Sequence, residues 1–245
     1  MPRFFIELSY KGTQYAGFQI QKNANSIQAE LEKALTVFFK IPFVLTCSSR
    51  TDAGVHALQN FFHVDIEILP SPALLTKSVY NINAILPGDI VVKRIYQVPN
   101  ELHSRFSAMQ REYQYFIYQQ KDPFNQDKAY YYPYSLDLNL LQQAAAILLT
   151  YQDFSSFSKR NTQVKSFICN IAVSKWEQHK DGFVYTVKAN RFLRGMVRGL
   201  VGTMLRVGTG KLTINDFVAL IERKNAAKTD FSAPAHGLFL INVKY

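Results

Sequence analysis

Hydrophobic and polar positions in the first hundred residues follow two different periods. Four short runs rich in apolar and β-branched side chains are typical of strands: Arg3 to Ser9, Phe43 to Cys47, Phe61 to Ile68 and Ile90 to Val98. From Ile27 to Phe39 the apolar residues recur every three to four positions, which predicts a helix. We expect Asn25 to cap this helix, with Gln28 three residues on in a capping-box arrangement. A second helix is predicted from Ser71-Pro72 to about Ile85, so that the order of elements is β-α-β-β-α-β.

The second half repeats this order of elements without repeating the sequence. Strands are predicted at Tyr113 to Tyr118, Phe167 to Trp176, Phe183 to Lys188 and Leu238 to Val243, and helices at Leu138 to Leu149, Phe192 to Val207 and Ile214 to Glu222. Asp137 is the expected cap of the first of these helices. Both halves match the split βαβ, ferredoxin-like unit. We therefore expect an α+β protein of two such halves, residues 1–104 and 105–245, whose mostly antiparallel sheets dock side by side.

Composition adds an argument from charge. The 245 residues include 28 Lys and Arg against 18 Asp and Glu, a formal net charge of +10. Such an excess favours a polyanionic partner, with nucleic acid the commonest and a membrane surface the competitor, although simple solubility explains it about equally well. The two cysteines, Cys47 and Cys169, define neither a zinc site nor a disulfide framework. Because the sequence has no signal-peptide core and no apolar run of membrane-spanning length, we expect a soluble, cytoplasmic protein.

The strongest candidate for chemistry is the polar, glycine-containing segment from Ser48 to Ala57. It carries one carboxylate, Asp52, two residues after Arg50 and two residues before Gly54. Its composition is typical of a loop, and strand-like runs lie on both sides of it. A carboxylate on a loop that strands hold in place is well positioned for catalysis, and by itself it is compatible with many reactions.

A second candidate is Arg198, on the helix predicted from Phe192. Arg198 lies between Val197 and Leu200 on an apolar helix, and an arginine near a core needs a carboxylate or phosphate partner. We expect a specific acidic partner for it. We expect Arg191 and Arg194 on the same side of the helix, either solvated or in contact with phosphate. A further face, formed by Gly195, Gly199 and Gly202, would permit close approach of another backbone segment.

The third candidate is the aromatic strand that starts near Arg111. Strand alternation places Tyr113, Tyr115 and Ile117 on one face. Aromatic and basic residues interleaved in this way suit base stacking together with phosphate contact. On spacing alone, an ordinary aromatic core strand is the more frequent explanation.

Other kinds of site have little support. The segment Gly208 to Thr213 lacks the first glycine of a phosphate-binding loop, has Leu212 in the magnesium-binding position and follows a helix rather than a strand. The five histidines form no i,i+4 pair and no dense cluster with acids, so we expect no metal site. No Gly-x-Ser-x-Gly sequence supports a hydrolytic serine.

Arg50-Thr51-Asp52-Ala53-Gly54-Val55-His56-Ala57 resembles the signature of the TruA family of tRNA pseudouridine synthases. The resemblance extends along the chain. It includes Tyr15 to Gln21, Ile27 to Glu32, Ala84 to Pro87, Phe106 to Ala108, Arg111-x-Tyr113-x-Tyr115, Phe192 to Arg198 and Ala233 to Leu238. The sequence departs from the residues usual in this family at Phe18, Ser49, Gly195 and Gly199.

The resemblance implies a pseudouridine synthase fold and an enzyme that isomerises uridine to pseudouridine at positions 38–40 of the tRNA anticodon stem-loop. It implies a homodimer that needs neither metal nor cofactor. Residue by residue, it assigns Asp52 as the catalytic nucleophile, Arg198 as its ion-pair partner, Tyr113 as the residue that stacks on the target base and Arg50 as a contact to the flipped nucleotide and RNA backbone. Asp52 would then lie at the floor of a cleft between the halves.

Two other classes of function remain to be separated from this one. An RNA-binding module without catalysis would also present aromatic sheets and a basic surface, but it has no need of a carboxylate facing a polyanion. A nucleoside hydrolase would release free uracil, and a second working carboxylate would be expected near Asp52. Chromatography of the nucleosides from a reacted anticodon stem-loop would distinguish all three.

Overall fold

The computed structural model describes residues 1–67, 72–159, 164 and 166–245, and for residues 72–74 and 76 it describes the backbone alone. The chain forms two compact units. Unit 1 comprises residues 1–109 and 240–245, and unit 2 comprises residues 110–239. The division into domains at 104/105 stays a prediction.

Unit 1 has the order β-α-β-β-α-β that the pattern of residues predicts. Its elements are β1 (Arg3–Tyr10), α1 (Ile27–Phe39), β2 (Thr46–Cys47), β3 (His56–Asp65), α2 (Pro72–Ile85) and β4 (Ile90–Val98). The strands are antiparallel and lie in the order β4-β1-β3, with β2 paired to β3. Strand β1 is central and carries the core side chains Phe4, Ile6 and Leu8, all almost fully buried.

Unit 2 contains the remaining elements. They are β5 (Gln110–Tyr118), β6 (Tyr130–Tyr131), α3 (Leu138–Ile147), β7 (Ile171–His179), β8 (Gly182–Ala189), α4 (Met196–Gly208), α5 (Ile214–Glu222) and β9 (Leu238–Lys244), the last of which continues into unit 1. Strand β8 is antiparallel to both β5 and β7, while the short β6 adds a parallel pair to β5. Helix α3 packs against α4 and β7. The α+β class with mostly antiparallel sheets is thus confirmed.

The expected cap of α1 is wrong by one residue. The side chain of Ser26, not Asn25, accepts a hydrogen bond from the backbone of Ala29. Ser26 has the extended backbone that an N-cap requires. The Gln28 amide donates to the Glu32 carboxylate and to the Leu45 carbonyl instead of closing a capping box. The predicted cap of α3 is confirmed, because Asp137 accepts from the first amides of that helix.

Several strand boundaries also differ from the prediction; β5, for example, begins at Gln110 rather than Tyr113. Residues 43–45 stay outside β2, and the Leu45 amide donates to a side-chain oxygen of Glu32. Strand β3 begins at His56 rather than Phe61. Its predicted end, Ile68, and the predicted start of α2, Ser71, lie outside the described residues. Strand β7 begins at Ile171 rather than Phe167, because residues 167–169 are hydrogen-bonded to 152–154.

Helix α4 starts four residues later than predicted. Gly195 takes a left-handed conformation, with φ of 73°, immediately before Met196. Arg191 and Arg194 therefore precede the helix and do not share a helical face with Arg198. The helices in the described parts of the chain are all too short or too polar to cross a membrane.

Candidate active site

The backbone of the segment between β2 and the start of β3 is held in a tight, irregular path. We call residues 48–57 the Asp52 loop. The amide of Val55 donates to the carbonyl of Asp52 (3.2 Å), and Gly54 takes a positive φ of 79° that suits glycine. Asp52 itself is half-buried and Arg50 is exposed. The carboxylate is thus carried by a turn whose backbone geometry is fixed locally.

A second segment of unit 1, residues 15–18, packs directly on the Asp52 loop. The amide of Phe18 donates to the carbonyl of Thr51 (3.1 Å), and the amide of Gly54 donates to the carbonyl of Tyr15 (3.4 Å). Gly17 has a φ of 109°, and a Cβ there would lie 3.2 Å from backbone atoms of Thr51 and Ala53. Glycine is therefore required at this position, both for its conformation and for the close approach.

Buried side chains from β1 and β3 hold the loop on both sides of Arg50. The Asn60 amide donates to the carbonyl of Ser49 (2.9 Å) and to the hydroxyl of Tyr10 (3.1 Å). The Tyr10 hydroxyl is in turn hydrogen-bonded to Oγ1 of Thr51 (2.8 Å). We call these three side chains the Asn60–Tyr10–Thr51 network; all three are buried. Because buried hydrogen bonds are costly to leave unmade, the network fixes the loop's position.

The far end of the Asp52 loop is anchored in a different way. Nδ1 of the buried His56 accepts a hydrogen bond from the amide of Gly12 (3.1 Å). A Cβ on Gly12 would lie 2.0 Å from the carbonyl oxygen of Val55, so only glycine allows the two segments to be this close. The far end of the loop is therefore held by contacts to residues before α1, whereas its first residues are held by β3.

Arg50 lies beside the thiol of Cys47. Burial raises the pKa of the Cys47 thiol, while the hydrogen bond and the positive charge of Arg50 lower it. The raised pKa keeps this buried thiol in its neutral form near pH 7. Since Arg50 is exposed, its guanidinium remains accessible to solvent and to an anionic ligand.

In unit 2, Tyr113 lies on the buried face of β5. Buried residues alternate along this strand, with Tyr113, Tyr115 and Ile117 on one face, as predicted. The ring of Tyr113 meets the ring of Phe192 edge to face, with centroids 5.1 Å apart. The hydroxyl of Tyr115 donates to the carbonyl of Pro234 (2.8 Å). The face of β5 that carries Tyr113 is thus an aromatic, well-packed surface.

Arg198 is held on α4 by a carbonyl group. Its Nε donates to the carbonyl oxygen of the buried Ala233 (2.6 Å). Burial raises the pKa of the Tyr115 hydroxyl, and the positive charge of Arg198 acts to lower it, which indicates that the two groups are close. Arg198 is only half-buried, so part of its guanidinium remains accessible.

The glycines of α4 allow the segment from Thr229 to Ala233 to pack against the helix. A Cβ on Gly202 would lie 2.4 Å from the carbonyl oxygen of Asp230, and one on Gly199 would lie 2.8 Å from the ring of Phe231. This close packing brings Ala233 within reach of Arg198. It also gives a physical reason for Gly199, one of the positions where the sequence departs from the usual residues of the family.

Each candidate residue lies on the element that the sequence predicts for it. Asp52 and Arg50 lie on one loop of unit 1, whereas Tyr113 lies on β5 and Arg198 on α4 of unit 2. The residues that the sequence argument missed are Tyr10, Asn60 and Gly12. Their signal is weak, because a tyrosine or asparagine within a strand resembles any other half-buried position. Within the described residues, no group of three or more His, Cys, Asp or Glu side chains is arranged to hold a metal ion.

Comparison with known proteins identifies the family. A family model described as "tRNA pseudouridine synthase" matches residues 144–245. A crystal structure titled as a putative chlorite dismutase is 14% identical and covers 86% of this chain and 88% of its own, but its TM-score of 0.22 is too low to support an argument.

Full-length relatives carry the assignment. A protein of Parabacteroides distasonis named tRNA pseudouridine synthase A is 42% identical over the whole chain and 96% of its own length. Proteins of the same name from Bacteroides fragilis and Staphylococcus aureus are 44% and 36% identical, over 99% and 97% of this chain and 96% and 89% of theirs. The chain belongs to the tRNA pseudouridine synthase A family.

Proposed function

We propose that this chain isomerises uridine to pseudouridine in tRNA, at positions 38–40 of the anticodon stem-loop, with Asp52 as the catalytic nucleophile. The observation that carries the proposal is the Asp52 loop, whose half-exposed carboxylate is carried on a backbone anchored by buried groups. Membership of the tRNA pseudouridine synthase A family supports the reaction, and the formal net charge of +10 suits a tRNA substrate.

The target base must leave its stacked position before any group can reach its glycosidic bond. Flipping a nucleotide out of a stem costs a few kcal/mol, which contacts in the protein must offset. Stacking on an aromatic ring contributes about 1–3 kcal/mol per base. We assign this role to Tyr113, whose ring belongs to an aromatic face of β5.

The reaction breaks the bond between the ribose C1′ and N1 of uracil and forms a bond between C1′ and C5 of the same ring. The proton on C5 is lost and N1 gains one, so substrate and product have the same composition and no co-reactant is needed. An ionised carboxylate can serve as the nucleophile that holds the intermediate while the ring turns over. A fixed backbone favours such a role, because the nucleophile must be positioned to within about 1 Å.

Arg198 is proposed as the ion-pair partner of Asp52. A neighbouring cation favours the ionised form of a carboxylate, which is the reactive form here. The bond from Nε to the Ala233 carbonyl orients the guanidinium, and the two Nη nitrogens are the groups that would bind a carboxylate. Arg50, exposed on the Asp52 loop, is proposed to contact the RNA backbone and the flipped nucleotide.

The proposal is tested by incubating the protein with an anticodon stem-loop RNA and separating the digested nucleosides by chromatography. Asp52→Asn should reduce pseudouridine formation roughly 10³-fold or more, with the Kd for the RNA nearly unchanged. Asp181→Asn, in the exposed turn between β7 and β8, is the matched control and should react normally. Release of free uracil would indicate a hydrolase, and binding without any product would indicate an RNA-binding module. Turnover by Asp52→Asn would refute the assignment of Asp52 as the nucleophile.

The same assay tests the two proposed partners of Asp52. Tyr113→Phe keeps the stacking ring and loses the hydroxyl, so it should bind RNA but react slowly. Arg198→Lys should be severely impaired, because an ammonium group cannot reproduce the fork of a guanidinium. Wild-type rates in both variants would remove these residues from the mechanism.

We further propose that the protein acts in the cytoplasm as a homodimer. The dimer follows from the family resemblance, and the cytoplasmic location is the expectation drawn from the sequence. Light scattering of the purified protein should give twice the mass of the chain, and a mass equal to that of one chain would contradict the dimer.

A further inference from the structure

A cavity among the described residues lies within unit 2, where α4 ends and α5 begins. It encloses about 510 Å³, a volume typical of sites for nucleotide-sized ligands. Its lining combines side chains from the end of α4, from α5 and from the segment that follows α5. These residues are Arg206, Leu212, Asp216, Ala219, Leu220, Arg223, Ala227, Lys228, Thr229 and Asp230.

Three cations line this cavity: Arg206, Arg223 and Lys228. Within the part of the chain that the structure describes, none of them has a carboxylate within 4.0 Å. Arg206 comes from the end of α4, whereas Arg223 and Lys228 come from the segment that follows α5. Three cations around one space repel each other, and the two acids of the same lining, Asp216 and Asp230, offset only part of that repulsion.

The two acids of the lining accept hydrogen bonds from residues close to them in the chain. Asp216 accepts hydrogen bonds from the hydroxyl (2.7 Å) and the amide (3.4 Å) of Thr213, in the capping box of α5. Asp230 accepts from the amide of Ser232 (2.8 Å). The hydrogen bonds from Thr213, with the positive charges of Lys228 and Arg223, lower the pKa of Asp216. The carboxylates are oriented by the local backbone, and three cations against two acids leave the lining with a formal charge of +1.

Part of the lining between the cations is apolar. Leu212, Ala219, Leu220 and Ala227 provide this surface. A compact inorganic anion would leave most of such a surface uncovered, whereas a nucleotide presents both a charged phosphate and a less polar sugar. Arg and Lys side chains are usual contacts of the phosphates of a nucleic-acid backbone.

We propose that this cavity binds a phosphodiester of the tRNA backbone at a point other than the target nucleotide. The inference rests on the proposed function, because it takes tRNA as the substrate. The site positions the RNA and takes no part in bond breaking. Neutralising its cations should therefore weaken binding and leave the rate at saturating RNA unchanged.

The experiment measures the Kd for tRNA against salt concentration. Arg223→Gln and Lys228→Gln should each weaken binding about 3- to 10-fold near 0.1 M salt. Each should also reduce the slope of log Kd against log salt by about 1, and the double variant by about 2. The kcat for pseudouridine formation should stay within twofold of the wild type.

Lys180→Gln is the matched control, since it removes the same charge from an exposed turn of unit 2. If Lys180→Gln changes the slope as much as the cavity variants do, only overall charge matters and the proposal is overturned. It is also overturned if the cavity variants lose affinity for inorganic phosphate alone, while tRNA binding is unchanged. Absence of pseudouridine in the wild type would refute the proposed function instead, because the salt slopes are measured without turnover.

Discussion

The Asp52 loop of unit 1 and the start of helix α4 in unit 2 hold their functional side chains by different means. Asp52 is on irregular backbone, and buried polar atoms of Asn60 and Tyr10 hold that backbone in place. Arg198 is on regular helix, and its surroundings are set by close packing of residues 229–233 against Gly199 and Gly202. One region depends on hydrogen bonds and the other on the absence of side-chain volume.

The difference predicts how each region fails. A polar network fails when an atom is removed, because the buried partners that remain are left unsatisfied. A close-packed contact fails when an atom is added, because a packed interior has no room to accept it. Variants that remove one group from the loop, or add one methyl to the helix, should therefore separate the two mechanisms.

The largest effect on stability is expected from Gly202→Ala. The new Cβ would lie 2.4 Å from the carbonyl oxygen of Asp230, so the segment after residue 229 must move away from α4. Overpacking of this kind costs about 1–3 kcal/mol or more, against a gain of about 1 kcal/mol in helix propensity. A contact of 2.4 Å with backbone belongs at the upper end of this range, so we expect a net loss of about 2 kcal/mol in the free energy of unfolding, measured with urea by circular dichroism.

Gly88→Ala is the control for this experiment. A Cβ on Gly88 meets nothing within 4 Å, so stability should change by less than about 0.5 kcal/mol. The midpoint of the urea transition should move for Gly202→Ala alone. Equal stability of the two variants would show that the contact between α4 and Asp230 is not tight.

The second effect is expected from Asn60→Ala. It removes the amide that donates to the carbonyl of Ser49 and to the hydroxyl of Tyr10, and the oxygen that accepts from the amide of Phe61. Loss of a buried amide of this kind costs about 1–3 kcal/mol, and the Asp52 loop should lose its fixed position. We expect kcat for pseudouridine formation to fall about 10- to 100-fold with little change in KM.

Asn83→Ala provides a matched control within unit 1. The Asn83 amide also makes two hydrogen bonds to backbone, both to Val92 (2.8 Å each), but it does not touch the Asp52 loop. It should lose stability to a similar degree and keep the kcat of the folded enzyme. If both variants lose activity equally, Asn60 has a structural role alone.

Local sequence signals predict much of the fold. Strand β4 and helix α5 have the predicted bounds, because Pro87-Gly88 ends α2 and Thr213 caps α5. The boundaries that were wrong depend on contacts beyond the local segment. Residues 167–169 form hydrogen bonds with 152–154 instead of extending β7. Gly195 takes a left-handed conformation, so that α4 begins at Met196 and not at Phe192. Neither feature can be recognised from the periodicity of apolar residues.

The candidate site shows the same division. Asp52 is evident from sequence, because its loop combines Arg, Gly and a carboxylate in a segment that no apolar pattern explains. The side chains that hold the loop are not evident. Tyr10 is 41 residues from Thr51 and 50 residues from Asn60, and only the pairing of β1 with β3 brings them together. Hydrogen bonds over such separations follow from the register of the strands, which one sequence does not specify.

The smallest effect is expected from Tyr10→Phe, which removes one oxygen from the Asn60–Tyr10–Thr51 network and keeps the ring. Stability should fall by about 1 kcal/mol, and kcat about 3- to 10-fold at constant KM. Tyr185→Phe in unit 2 is the matched control, because that hydroxyl is also buried and is hydrogen-bonded to Ser174 (2.9 Å), away from the Asp52 loop. It should lose similar stability and no activity. Because the two variants remove the same atom, a fall in kcat confined to Tyr10→Phe assigns the effect to the position of the Asp52 loop.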